Sequence, residues 1–287
     1  MSIREIPVHV IGPGSQPGKS GDTLTYIDMP GEMATFVAPS MPDPDDVEHM
    51  SGAREAMAWL QQALRGYAPG LSTQLANLSL LDDENRDLVN QILGEGEVSI
   101  YCDGEFPARI QESVLAGVWR TFYFDKDDNA VADLLEVADV PALVTAALDG
   151  GTIDTDVAEC DHAAAGNALP ILVELQSAQA RFAADGTTHS VNLSLLPMSE
   201  DELEFLDRRL GRGPIDILSR AYGKCQVIST QAKNVWWVRY YNGMGTLILN
   251  TVEIARVPEV VAAAAEDLGD SAVRLREILA PYWTEGA

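Results

Sequence analysis

From residue 53 to residue 66 apolar side chains return at helical spacing, with Met57, Leu60, Ala63 and Leu64 on one stripe, and the run stops before Pro69-Gly70. This pattern predicts a helix. Asp83 to Leu93 carries Leu88, Val89, Ile92 and Leu93 on a second stripe with Gly94 just beyond, a helix ended by a left-handed stop. The period then shortens. Four β-rich runs, Glu97 to Cys102, Ala108 to Val114, Gly117 to Phe124 and Ala130 to Val137, are divided by Asp103-Gly104, Ala116-Gly117 and the polar stretch Asp125 to Asn129. Connections this short predict an antiparallel meander. Val140 to Leu148, with Pro141 in its first turn, predicts a closing helix.

The same order of elements is legible a second time. Asn77-Leu78-Ser79-Leu80-Leu81 returns unchanged as Asn192-Leu193-Ser194-Leu195-Leu196, 115 positions later, and beyond it matches continue at a spacing of 117. Leu93, Gly94 and Gly96 meet Leu210, Gly211 and Gly213; Trp119 meets Trp236, Tyr123 meets Tyr240 and Pro141 meets Pro258. Rare Trp, Gly and Pro at fixed spacing point to an internal duplication. In the second copy Ser199 to Leu210 reads as a helix stopped at Gly211, and Pro258 to Leu268 as the closing helix. The expected fold class is therefore α+β: two tandem helix-helix-four-strand-helix units in pseudo-twofold contact. The expected boundaries are 53–148 and 168–287 for the copies, with a linker over 149–167. Residues 1–52, where Pro, Gly, Ser and Asp cluster, are expected to form an extended arm.

Charge narrows the function classes. With 44 Asp and Glu against 19 Lys and Arg the net charge is −25, which leaves no general attraction for nucleic acid or an anionic bilayer. At 46% hydrophobic residues the chain can still build a core, so the acidity belongs on the surface of a folded protein. No window has the length and apolarity of a membrane span and the first residues lack the pattern of a secretory signal, so a cytoplasmic protein without stable membrane insertion is expected. The three cysteines, Cys102, Cys160 and Cys225, suit neither a disulfide framework nor a four-ligand zinc site, and reduced thiols are expected.

The motifs that would carry catalysis fail on spacing. Gly12 to Ser20 ends in Gly18-Lys19-Ser20 like a phosphate-binding loop, but Pro13 stands where the first glycine belongs and Pro17 removes a further N–H donor. Cys160-Asp161-His162 supplies two metal-ligand types, and the other histidines, His9, His49 and His189, lie in other segments. No Gly-x-Ser-x-Gly elbow is present. The reading is of a non-enzyme with no catalytic residue, no metal site and no cofactor. A metal-handling or enzymatic protein using Cys160 and His162 is the alternative from a different class.

The remaining chemistry is aromatic and falls in the third strand of each meander. Alternation puts Trp236, Val238 and Tyr240 on one face, with Trp119, Thr121 and Tyr123 as their counterparts, and this face reads as core. The opposite face carries Trp237, Arg239 and Tyr241, against Arg120, Phe122 and Phe124 in the first copy. Aromatics with arginine on a sheet face not covered by a helix are the residue types that carry binding energy at protein interfaces. The competing reading, that this face packs the two copies together, stays open. The second strand brings Ser229 and Thr230, and Glu112 in the first copy, as polar neighbours.

These residues carry a resemblance. Leu93-Gly94-Glu95-Gly96, Ile110 to Ser113 with Gly117-Val118-Trp119-Arg120, Asn234 to Tyr241 and Leu249 to Pro258 resemble the HupH/HyaF family of hydrogenase expression proteins, as do Gly12 to Pro17 and Met33 to Phe36. The resemblance implies an accessory chaperone for nickel-iron uptake hydrogenase that holds the small-subunit precursor, with its iron-sulfur clusters, before twin-arginine export. It also implies a thioredoxin-like HupG/HyaE protein as a second partner. The chain has no Cys-x-x-Cys pair, which argues against cluster scaffolding. On this reading the partner-binding residues are Arg120, Phe122, Trp237, Arg239, Tyr241, Glu112, Ser229 and Thr230; a scaffold that mainly forms a homodimer is the third reading.

Overall fold

The computed structural model describes residues 42–147, 150–156, 165–220 and 223–283. The Gly12 to Ser20 segment, most of the expected arm, and Cys160 and His162 lie outside them. Helix α1 (Ser51–Gly66) is followed by β1 (Gln74–Asn77), α2 (Asp83–Leu93), β2 (Val98–Cys102), β3 (Ala108–Glu112), β4 (Val118–Phe124), β5 (Ala130–Val137) and α3 (Ala142–Ala146). Then come α4 (Ala168–Asp185), β6 (His189–Asn192), α5 (Glu200–Leu210), β7 (Ile215–Ser219), β8 (Lys224–Ser229), β9 (Val235–Tyr241), β10 (Leu247–Ile254) and α6 (Ala265–Leu279). The class is α+β, and among the described residues all ten strands lie in one antiparallel sheet.

The strand order is β1-β5-β4-β3-β2-β7-β8-β9-β10-β6, so each half, counted from its own outer edge, runs in the same order. The halves meet where β2 pairs with β7, and the pairing centres on Ile100 opposite Ile217. Those two positions are 117 apart. Hydrogen bonds repeat at the same spacing: Trp119 Nε1 donates to the Ala138 carbonyl at 2.9 Å and Trp236 Nε1 to the Ala255 carbonyl at 3.2 Å. Gly96 N–H donates to the Glu112 carbonyl and Gly213 N–H to the Ser229 carbonyl, each at 2.7 Å. Both glycines are required by close approach, because a Cβ on Gly96 would lie 2.2 Å from the Ser113 carbonyl oxygen and one on Gly213 would lie 2.5 Å from that of Thr230. Arg256 and Asp139, again 117 apart, form an ion pair at 2.5 Å across the junction.

Three hydrophobic clusters follow. On one face of the sheet α1, α2 and α6 bury Met57, Leu60, Leu88 and Ile92 against Val118, Leu135 and Val137. On the same face of the other half Leu172, Leu175, Phe205 and Leu206 of α4 and α5 lie on Trp237, Val252 and Ile254. The third cluster occupies the opposite face and runs through both halves: Ile100, Ile110, Trp119, Ile217, Val227, Trp236 and Val238, closed by Val140, Val144 and Val261.

Several expectations need correction. Each half has a fifth strand, β1 or β6, which pairs with the last strand of the meander at the sheet edge. With four residues apiece, and Val191 alone buried, these strands show no alternation to read. The second closing helix is a 3-10 turn, Glu259–Val261, and Pro141 and Pro258 occupy N-cap positions rather than the first turn. The final helix, α6, crosses to the first half, where Leu268, Leu275 and Leu279 enter its core and Ser271 Oγ donates to the Ala116 carbonyl at 3.0 Å. Finally, the face that carries Trp237 and Arg120 is helix-covered at those two positions.

Candidate functional site

The helices of the first cluster cover β1, β5 and β4, and those of the second cover β6, β10 and β9. Between the two helical layers the inner strands β3, β2, β7 and β8 turn a largely polar band outward: Arg109 and Gln111, Ser99 and Tyr101, Asp216, Lys224 and Gln226, with Leu218 the apolar member among them. Alternation dictates this, because the intervening residues Ile100, Ile110, Ile217 and Val227 serve the core on the other side. The band is largely ordered by its own hydrogen bonds. Ser99 Oγ donates to Gln111 Oε1 at 2.6 Å, and Gln111 Nε2 donates to the Val98 carbonyl at 3.2 Å. Asp216 accepts from Arg212 at 2.5 Å and from Gln226 at 3.1 Å; burial pushes its carboxyl pKa up, against the lowering effect of these two partners.

The rims of the band hold part of the sequence-derived set. Arg239, half-buried, places its guanidinium 4.8 Å over the Trp237 ring and 3.7 Å from Asp207 on α5. Tyr241 follows on the same face, half-exposed. On the other rim Phe122 is half-buried with the Arg120 guanidinium 4.9 Å over its ring, and Arg109 lies 4.3 Å over Phe124. Phe122, Arg239 and Tyr241 thus border one surface.

The rest of the set is placed elsewhere. Trp237 is a core residue of the second half, its Nε1 donating to Asn250 Oδ1 at 2.5 Å. Arg120 is buried in a fork with Asp133, Nε to Oδ1 at 2.7 Å and Nη2 to Oδ2 at 2.6 Å, and also bonds Asn90. Ser229 Oγ is buried and accepts from Ile215 N–H at 2.9 Å. Thr230 Oγ1 closes the turn before β9, accepting from Ala232 N–H at 3.1 Å. The Ser229 hydroxyl ties β8 to the start of β7, and that of Thr230 builds a turn. Tyr101, Arg109 and Lys224, which sequence reasoning did not select, lie nearer the middle of the band. The signal that could have found them is the pairing of β2 with β7, since it makes these strands central rather than terminal.

Glu112 ends β3 on the side of Ile110 and Trp119, and burial raises its carboxyl pKa from an ordinary 4.5 to about 7, with Glu97 and Asp267 adding repulsion. The folded protein therefore holds a proton that the unfolded chain releases. The sign follows: this contribution favours folding below pH 4.5 and is lost as pH rises through about 7. Glu112→Gln should raise stability at pH 8 by up to ~2–3 kcal/mol and flatten the loss between those pH values, as read from urea melts across pH. An unchanged pH profile would show that Glu112 is ionised in the fold. The thiols behave similarly: burial pushes Cys102 to about 12 and Cys225 to about 11, so neither presents a thiolate near neutrality. Among the described residues no group of three or more His, Cys, Asp and Glu could hold a metal ion.

The model of the HupH hydrogenase expression protein, C-terminal conserved region, matches residues 50–156 and 165–282. The chain belongs to the HupH family. It is similar along nearly its whole length to the hydrogenase expression/formation protein HupQ of Azotobacter chroococcum mcd 1, 41% identical with 94% of this chain and 96% of that protein covered. Hydrogenase expression/formation protein HupH of Rhodobacter capsulatus is 36% identical with 96% of each covered, and hydrogenase-1 operon protein HyaF of Escherichia coli (strain K12) is 33% identical with 94% of each covered. A solved structure of hydrogenase expression protein HupH from Thiobacillus denitrificans ATCC 25259, 30% identical, covers 40% of this chain and 96% of its own with a TM-score of 0.39. Among the described residues no helix is long and apolar enough to cross a membrane.

Proposed function

We propose that this chain is a non-enzymatic maturation factor for a nickel-iron hydrogenase, a cytoplasmic chaperone that binds the immature iron-sulfur small subunit before its export. The observation that carries the reading is similarity along nearly the whole chain to proteins named for hydrogenase expression and formation. The polar band between the helical layers supports a binding role, because it offers Tyr101, Arg109, Arg239 and Tyr241 on a rigid sheet. Partner-binding residues in this proposal are Arg239, Tyr241 and Phe122 at the rims, with Arg120, Trp237, Ser229 and Thr230 holding the sheet behind them. The thioredoxin-like accessory protein is the proposed second partner.

The architecture proposed to serve this role is a duplicated unit, residues 53–148 and 168–287, in pseudo-twofold arrangement about the Ile100 and Ile217 pair. Equal strand order in the halves, hydrogen bonds repeated 117 positions on, and the two matched stretches of the family model support it.

The test is a titration against the small-subunit precursor under reducing, oxygen-free conditions. Saturable binding is expected, with an association rate that falls as salt rises, because a surface of net charge −25 steers basic segments. Failure to bind both precursor and cluster-loaded subunit would overturn the proposal.

A further inference from the structure

The two copies of Asn-Leu-Ser-Leu-Leu do identical work at their first three positions. Asn77 and Asn192 accept from the N–H two residues on, Leu78 and Leu193 are buried, and Ser79 and Ser194 accept from the N–H groups of Asp133 and Asn250 at 3.0 and 2.8 Å. The fourth position has no such work. Leu80 is 92% exposed and Leu195 80% exposed. Beside each lies a β-bulge. Tyr123 pairs with Ala132 and Phe124 with Ala130, leaving Val131 unpaired; 117 positions on, Tyr240 pairs with Leu249 and Tyr241 with Leu247, leaving Ile248 unpaired. Bulges re-aim side chains, and these two turn out Val131 at 55% and Ile248 at 60% exposure. The halves have diverged at most positions, yet each keeps a leucine and a β-branched residue in solvent at equivalent places. An acidic helix start follows each leucine, Asp82, Asp83 and Glu84 from two residues on in one half and Glu200, Asp201 and Glu202 from five residues on in the other.

We propose that Leu80 with Val131, and Leu195 with Ile248, form two equivalent docking points for an apolar peptide segment flanked by basic residues. The apolar pairs would take the segment's aliphatic side chains and the acidic helix starts its flanking cations, a charge match that disfavours a second copy of this acidic chain as occupant. Met244, exposed at the hairpin tip beside the second pair, adds an adaptable contact. The inference rests on the client-binding reading above and names the kind of client segment that is held.

The probe is a fluorescein-labelled peptide of alternating Leu and Ala flanked by arginines, with a glutamate-flanked twin, titrated into the full chain and followed by anisotropy. Two peptides per chain are expected, the glutamate twin binding at least roughly tenfold more weakly. Leu195→Glu/Ile248→Glu and Leu80→Glu/Val131→Glu should each remove one site, and the combined variant both. Because all four side chains are exposed, these variants should melt like the wild type; if one does not, Leu195→Ser/Ile248→Thr or Leu80→Ser/Val131→Thr replaces it. Equal binding of the two peptides, or sites that survive every variant, would overturn the proposal. A homodimer dissociated by the same variants would overturn it too, assigning the points to self-association. Peptide binding without precursor binding would leave the docking points standing and sink the hydrogenase reading; the reverse result would do the opposite.

Discussion

Asp133→Ala should destabilise the protein by about 3–5 kcal/mol, because it strands the Arg120 guanidinium in a site where both partners are more than nine-tenths buried. Three guanidinium directions are satisfied, two on Asp133 and one on Asn90 of α2. The second half shows how to remove the charge without the cost. At positions 117 on, Trp237 donates to Asn250 in place of Arg120 donating to Asp133, in the same β4/β5 and β9/β10 register. Arg120→Trp/Asp133→Asn should therefore recover most of the loss, to within ~1–2 kcal/mol of wild type, since well-packed neutral replacements of buried ion pairs are tolerated. Urea melts of the single and double variants check this; equal destabilisation by both would show that the site demands the charge pair itself.

Trp236→Ala should cost about 3–5 kcal/mol, the range for truncating a fully buried aromatic. Trp236 sits on β9 in the cluster shared by both halves, so the cavity would open in packing that is continuous across the junction of β2 and β7. The indole also satisfies the Ala255 carbonyl, and Trp236→Phe should keep most of the packing while losing about 1 kcal/mol for that bond. The unfolding transition should stay single for both variants, as the third cluster runs through both halves. A biphasic melt for Trp236→Ala, with one half persisting, would contradict the shared core.

How far the sequence carried these conclusions depends on the type of signal. Helix α2 and strand β5 lie where the periodicity put them, because Leu88 to Leu93 and Ala130 to Val137 carry their own spacing and stop signals. Trp119 and Trp236 were legible as core residues from period two alone. Strands β1 and β6 were not, since edge strands of four residues rely on a partner strand for definition. The crossing of α6 was hidden for a related reason: Leu268, Leu275 and Leu279 announce an apolar stripe without saying which half receives it. The misplacement of Trp237 and Arg120 has the same root. Alternation separated the two faces of β9 and β4 correctly, but only the tertiary packing of α5 and α2 decides that the face is covered at its start and open at Arg239, Tyr241 and Phe122. Arg120 in particular looks exposed by residue type, and is buried because Asp133 lies opposite Phe122 in the neighbouring strand and Asn90 lies above.

That distinction reshapes how client binding must be tested, since a Trp237 variant would report on folding. The most direct measurement is the affinity of the small-subunit precursor for wild type and for Tyr101→Ala/Arg239→Ala, two side chains of the polar band outside the hydrophobic clusters, with folding verified by circular dichroism. A client surface on the band predicts saturable wild-type binding and a loss of more than ~2 kcal/mol in the folded variant. Equal affinity for the two proteins would contradict it and move the client surface off the sheet.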